Sequence, residues 1–252
     1  MSDQRVAVVT GAGSGIGEAA ARLLAEHGLE VVLVGRRPER LEAVATAITE
    51  AGGRALPVRA DLGQPHAPME VVDAVLAARG RLDVIVNNAA TYRLKPIQEF
   101  TLEDFDDVMA TNLRAPYFLV QAALPALRAS PSPVVVNVSS AAAAMYRPQQ
   151  TVYGLAKAAL EHMTMNMAAE LAPDRIRVAC VRPGPVRTEF HLGAEDPEER
   201  IRVLGTLVPL GRIGQPEDIA RWIWHLVDAE AEWVTGAVIS VDGGRVLGPP
   251  GV

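Results

Sequence analysis

Short, continuously apolar runs alternate with helical patterns along almost the whole chain. That alternation constrains the fold more than any other feature. The runs lie near Val6–Val9, Val31–Val34, Ala55–Ala60, Val84–Asn87, Val134–Val138, Arg177–Val181 and Ala237–Val241. Continuous apolar strands separated by helices predict an α/β chain whose parallel sheet is covered on both faces. Nearly half of the residues are apolar, enough for a sizeable core, and no repeat or low-complexity linker divides the 252 residues. The reading is one domain over residues 1–252.

The segment Thr188–Leu207 breaks this rhythm. Pro183-Gly184-Pro185 precedes it, an acidic cluster at Glu195–Glu199 lies within it, and it has neither a clear strand nor a strong helical pattern. A long irregular segment inside a compact domain is commonly functional. The expectation is a movable lid over residues 188–207.

Charge and composition exclude several classes. A net charge of −6 argues against a nucleic-acid partner, which needs clustered Lys and Arg. The single cysteine, Cys180, rules out an internal disulfide and a multi-cysteine metal site; no metal is expected. No apolar run approaches the ~20 residues of a membrane span, and Ser2-Asp3-Gln4-Arg5 leads straight into the first strand. A soluble cytoplasmic protein is expected.

Thr10-Gly11-Ala12-Gly13-Ser14-Gly15-Ile16-Gly17 joins the first strand to the first helix. Glycine admits positive φ and lets the backbone approach a ligand closely, and the helix N-terminus behind it favours an anionic pyrophosphate. The second strand ends at Val34-Gly35-Arg36-Arg37, without the carboxylate that usually takes the ribose 2′-hydroxyl of NAD. Arg36, with Arg37 beside it, suits a 2′-phosphate, so NADP(H) is preferred and NAD(H) remains open. Asp61-Leu62 follows the third strand, where a carboxylate can accept from an adenine amino group. Asn87-Asn88-Ala89-Ala90 follows the fourth, where small residues let the backbone run against a cofactor and an asparagine can tie strands together.

Tyr153-Gly-Leu-Ala-Lys157 carries the chemistry. Residues four apart share a helix face, which puts the lysine ammonium beside the tyrosine phenol. A nearby cation favours the phenolate and lowers its pKa toward neutrality, making the tyrosine a proton donor or acceptor for a carbonyl or alcohol oxygen. Upstream, Ser140 offers a hydroxyl that can hold the same oxygen.

Together these residues resemble the short-chain dehydrogenase/reductase family. The match runs from Thr10 to Gly244 and includes Thr-Gly-x-x-x-Gly-x-Gly, Asp61-Leu62, Asn-Asn-Ala at 87–89, Asn112, Ser140, Tyr153 with Lys157, Pro183-Gly184 with Thr188, and Val-Asp-Gly-Gly at 241–244. The resemblance implies a single Rossmann-like domain with a doubly wound seven-stranded parallel sheet. It implies Tyr153 as acid/base, Lys157 lowering its pKa and holding the nicotinamide ribose, and Ser140, not Ser139, polarising the substrate oxygen. Asn112 would hold a water that links Lys157 to solvent. Gly11, Ser14, Gly15, Ile16, Gly17, Asn88 and Ala89 would line the cofactor with Pro183 and Gly184, while Val186 and Thr188 grip its carboxamide. The family's helix pairing implies a homotetramer. Ala90 and Ala179 depart from common family residues at positions without chemistry.

The substrate lining is expected from Tyr92–Leu94, Ala141–Gln150 and Phe190–Leu204, with Gln149, Gln150 and His191 as its polar members. That suits a mid-sized, mostly apolar ketone, aldehyde or secondary alcohol. A 3-oxoacyl thioester, on acyl carrier protein or CoA, is the alternative, since Gly211–Asp218 resembles that branch. Pro131 and Asp174, standing where carrier-binding arginines usually lie, weigh against it. A non-catalytic NADP(H)-binding regulator is the remaining alternative, and the complete Ser–Tyr–Lys set argues against that.

Overall fold

The computed structural model describes residues 4–189 and 196–249. Strands form at all seven apolar runs: β1 (Val6–Thr10), β2 (Glu30–Gly35), β3 (Arg54–Arg59), β4 (Val84–Asn87), β5 (Val134–Val138), β6 (Arg177–Pro183) and β7 (Val238–Val241). They pair in parallel in the order β3-β2-β1-β4-β5-β6-β7. The described helices are α1 (Gly15–Glu26), α2 (Pro38–Glu50), α3 (Ala67–Arg79), α4 (Leu102–Met109), α5 (Ala115–Ala129), α6 (Thr151–Leu171), α7 (Pro197–Thr206) and α8 (Pro216–Val227).

Alternation along each strand splits the core between the two faces of the sheet. Ala7, Val9, Val31 and Leu33 pack with α1, α2 and α8. Val6, Val8, Val32 and Val34 pack with α3, α5 and α6. Strands buried on both faces have no solvent side to show, which is why β1 and β5 read as nearly continuous apolar runs. Pro57 sits in β3, an edge strand paired only with β2, where its missing N–H breaks no ladder bond.

From β1 the chain runs outward to β2 and β3, then crosses back to place β4 on the other side of β1. The strand order reverses there, and a crevice opens at the carboxyl ends of β1 and β4. A buried polar chain braces the adjoining strands: Asn87 donates to Asn137 Oδ1 at 2.8 Å, Asn137 donates to Thr164 Oγ1 at 2.9 Å, and Thr164 donates to the Leu160 carbonyl at 2.8 Å.

The segment after Thr188 corrects the expected absence of helix. Residues 197–206 form α7. Asp196 caps it by accepting from the Glu199 N–H at 3.0 Å, Pro197 opens it, and Glu198 and Glu199 occupy the first turn. The signals are those of a helix start; the apolar face is too small to announce one. Phe190, His191, Leu192 and Glu195 lie outside the described residues. A π-turn at Ala110–Arg114 separates α4 from α5. Among the described residues no helix is long and apolar enough to cross a membrane.

Candidate active site

Gly11 and Gly15 carry positive φ, +67° and +56°, as the turn after β1 requires. Gly17 has another function. A Cβ there would stand 2.3 Å from the Gly11 carbonyl oxygen and 2.5 Å from Asn88 Nδ2, so only glycine lets α1 begin this close under the turn. Thr10 fastens the turn to the end of β4: its Oγ1 accepts from the N–H groups of Asn88 and Ala89 at 2.9 and 3.0 Å. Asn88 Nδ2 returns a bond to the Thr10 carbonyl at 2.8 Å. Ser14 is the N-cap residue of α1, but its hydroxyl does not cap the helix. A close backbone cradle with an open helix N-terminus fits a pyrophosphate.

Two adjoining cavities share Gly11, Ser14, Ala89 and Ala90. The first is walled by Arg36, Arg37, Asp61 and Leu62. The second is walled by Gly15, Ile16, Asn88, Ser140, Tyr153, Lys157, Pro183, Gly184, Val186 and Thr188. The structure thus brings the expected adenosine residues to one end of a continuous groove and the expected reactive residues to the other. Gly17 and Asn112 are not on these walls. Asp61 turns one carboxylate oxygen back to the Gly63 N–H at 3.1 Å, fixing its loop.

At the reactive end, Ser140 follows the end of β5 and Tyr153 lies in the first turn of α6. Both line the same wall of the groove, and the Ser140 hydroxyl also accepts from the Ala142 N–H at 3.2 Å. Ser139 points the other way and donates to Glu161 at 2.7 Å, which leaves Ser140 as the hydroxyl at the phenol. Lys157 is buried one turn along α6. Its Nζ donates to the Val138 carbonyl at 2.8 Å and lies 5.9 Å from the Tyr153 ring centre.

The expected lowering of Tyr153 by Lys157 is not what this geometry gives. Burial pushes the phenol up, and the Ser140 hydrogen bond opposes that rise. Lys157 itself is pushed down to about 8, first by burial, with Cys180 and Glu161 opposing. Burial disfavours the charged form of both groups, raising the phenol and lowering the amine.

Asn112 lies behind this wall. It lies in the π-turn, fully buried, with Oδ1 accepting from the Thr91 N–H at 2.9 Å and Nδ2 donating to the Thr91 carbonyl at 2.8 Å. It holds the strand-to-helix connection in place from behind the wall. A π-turn at such a position is a frequent mark of functional sites.

Four residues that the sequence did not single out belong to this region, two of them, Arg147 and Arg200, inside the expected lining stretches. Arg147 and Arg200 stand on the wall beside Tyr92 and Gln150. Glu161 grips Arg182 through two bonds of 2.6 and 2.7 Å beneath Lys157. The Lys157–Glu161 spacing, one helical turn, was the available signal for Glu161. Tyr92, an expected lining residue, lies edge-on to Tyr153 with ring centres 4.6 Å apart, and burial first, then Tyr153, pushes its phenol up to about 12.

Comparison with known proteins places these residues in context. A family model described as enoyl-(acyl carrier protein) reductase matches residues 11–245. An uncharacterised oxidoreductase of Methylorubrum extorquens is 40% identical over 242 residues, covering 95% of this chain and 97% of that protein. A 4-formylbenzenesulfonate dehydrogenase of Comamonas testosteroni is 37% identical over 249 residues, covering 96% and 98%. Among solved structures, a putative NAD(P)-dependent gluconate 5-dehydrogenase from Beutenbergia cavernae with bound NADP superposes with a TM-score of 0.90 at 33% identity, covering 96% and 97%.

Proposed function

The chain belongs to the short-chain dehydrogenase/reductase family of oxidoreductases acting on CH–OH groups, and on that premise we propose that it transfers hydride between NADP(H) and a carbonyl or secondary-alcohol substrate, with Tyr153 moving the proton. The carrying observation is the grouping of Ser140, Tyr153 and buried Lys157 on one wall of the groove that the glycine turn opens.

The nicotinamide supplies or takes the hydride when bound. In the reducing direction the Tyr153 phenol, kept protonated by burial, donates to the carbonyl oxygen as charge develops there. The Ser140 hydroxyl holds the same oxygen. Lys157, now bonded to Val138, stands where it would hold the nicotinamide ribose. Gly11, Ser14, Gly15, Ile16, Asn88 and Ala89 would cradle the pyrophosphate side, Val186 and Thr188 the carboxamide, and Asp61 and Leu62 the adenine. Arg36 and Arg37, with no carboxylate at the end of β2, would take the 2′-phosphate. In this reading residues 188–207, including α7, close over the bound pair and exclude water. A cytoplasmic location is part of the same reading.

The same reading extends to assembly. Leu102, Phe105, Tyr117, Phe118, Leu155 and Met165 are exposed on α4, α5 and α6. A helix apolar on more than one face needs a second surface to bury it. Pairing this face across a two-fold axis makes a dimer; Trp233 and Leu247, nearly fully exposed, offer a second contact. Two such axes make a homotetramer. Acyl-carrier docking is disfavoured by a local ion pair: Asp174 accepts from Arg128 at 2.7 Å. Purified enzyme offered a panel of aldehydes and ketones with NADPH and then NADH, followed at the nicotinamide absorbance, tests the reaction. Absence of turnover with every carbonyl, an acetoacetyl thioester included, would leave a binding protein instead.

A further inference from the structure

The reactive end of the groove carries more positive charge than its chemistry requires. Its wall holds three cationic side chains, Arg147, Lys157 and Arg200. The only carboxylate on that wall among the described residues is Glu189, and it is engaged elsewhere, meeting Arg37 and Arg40 at 3.1 Å each. Arg147 is half-buried and makes no ion pair among the described residues. All this occurs in a chain whose net charge is −6.

Arg147 and Arg200 come from different elements, the loop before α6 and the first half of α7. Neither lies on the wall that carries Arg36, Arg37 and Asp61. Both guanidiniums act on the Tyr92 phenol, which packs edge-on against Tyr153. They are therefore on the substrate side of the proton donor, not on the adenosine side. Two half-buried guanidiniums lining one cavity can take an oxyanion in bidentate contact. A cleft of one sign with low-dielectric walls also concentrates ligands of the opposite sign.

We propose that Arg147 and Arg200 bind an anionic group on the substrate, a carboxylate or sulfonate, so that the natural substrate is an oxo or hydroxy acid and not a neutral ketone. This rests on the hydride-transfer reading and narrows it. It replaces the mostly apolar substrate expected from the sequence.

The test compares 4-formylbenzoate, 4-formylbenzenesulfonate and uncharged 4-formylbenzamide, which share one aldehyde, using the full enzyme with NADPH. One or both anions should exceed the amide in kcat/KM by about 10–100-fold, the scale of a charge-assisted contact, and the better anion reports which oxyanion fits. In Arg147→Gln and Arg200→Gln the anion-to-amide ratio should collapse toward one, mostly through KM. Arg147→Lys should keep part of it, which separates charge recognition from misfolding. Equal use of amide and anions, or an unchanged ratio in both Gln variants, overturns the proposal while leaving hydride transfer standing. If no aldehyde is turned over, the hydride-transfer reading fails on its own, and titration of terephthalate into the enzyme–NADPH complex decides this one. Heat of binding that both Gln variants lose supports it; no binding to the unmodified enzyme overturns it.

Discussion

Glu189 holds Arg37: one carboxylate oxygen accepts from both terminal nitrogens of the guanidinium at 3.1 Å, while the other oxygen meets Arg40 at 3.1 Å. Arg37 also donates to Ser14 at 3.2 Å. Glu189 thus ties the chain just after Thr188 to the arginines that follow β2. A 2′-phosphate taken by Arg36 and Arg37 has to compete with this carboxylate. These side chains are about half exposed, so each pair contributes little by itself. Glu189→Gln removes the competitor, and NADPH should bind about 2–5-fold more tightly, with NADH little changed. Nicotinamide fluorescence titration measures both. Weaker NADPH binding in the variant would mean that Glu189 organises the site instead of guarding it.

Cofactor choice is read at Arg36, which shares the adenosine wall with Arg37 but makes no side-chain hydrogen bond among the described residues. Arg36→Ala should cost about 1–3 kcal/mol of NADPH binding and almost none of NADH binding. Equal kcat/KM for both cofactors in the unmodified enzyme would remove the basis for the NADP reading.

Tyr153→Phe keeps the ring and its edge contact with Tyr92 but removes the proton. Turnover should fall by at least ~10²-fold, with NADPH affinity nearly intact. Because burial raises the phenol, it is protonated at neutral pH and ready to act as an acid. Reduction should therefore hold its rate toward acid, and alcohol oxidation, which needs the phenolate, should rise with pH. Stopped-flow rates across the pH range check this, and parallel profiles in the two directions would count against Tyr153.

What the sequence made legible was whatever depends on local pattern. The strands were readable because burial on both faces leaves no polar interruption, and the phosphate turn because Gly11, Gly15 and Gly17 each answer a backbone need. Ser140 could be chosen over Ser139 from its relation to Tyr153, and the structure gives the reason: Ser139 is committed to Glu161. What stayed hidden depends on contacts between distant segments. Arg147 and Arg200 meet only when the loop before α6 and α7 fold over one cavity. The orientation of Lys157 was hidden too, since spacing along α6 shows that it is near Tyr153 but not that it points at Val138.

Lys157 links function to stability with opposite signs. Its folded pKa of about 8 lies below the ordinary 10.5, so the unfolded chain holds that proton more tightly. Charging the buried amine therefore opposes folding below pH ~8, and this penalty is relieved as pH rises from about 8 to about 10.5. Lys157→Met should stabilise the cofactor-free enzyme by roughly 1–3 kcal/mol while losing activity and NADPH affinity. In the unmodified enzyme NADPH affinity should weaken as pH passes about 8 and the ammonium is lost. Calorimetry and fluorescence titration across pH 6–10, a range bracketing that value, check the pair. A destabilised Met variant would show that the bond to Val138 outweighs the burial cost.

The opposite end of the sheet supplies a control that should touch stability alone. Asp83, 1% exposed at the start of β4, accepts from the Val6 N–H at 2.8 Å, from Ser130 Oγ at 2.6 Å and from Arg81 at 2.8 and 2.9 Å. Burial alone would raise its pKa, but Arg81, Ser130 and the Val6 N–H together hold the carboxyl below its usual value. A depressed carboxylate contributes stability above its unfolded pKa, near ~3.9, and that contribution is lost as pH falls through the folded value. Asp83→Asn preserves shape but removes the charge facing Arg81 and turns one acceptor into a donor. It should cost about 1–3 kcal/mol, and for a chain of this size each kcal/mol lowers Tm by roughly 2–4 °C. The loss should shrink as pH falls through the carboxyl's lowered folded value, where the unmodified enzyme loses the same charge. Because Asp83 lies at the amino ends of the strands and Ser140 follows the carboxyl end of β5, kcat for the folded variant should stay near that of the unmodified enzyme. A thermal-melt series at pH 3–8 with parallel turnover assays measures both, and an unchanged Tm at pH 7 would mean that the carboxylate's bonds only repay its burial.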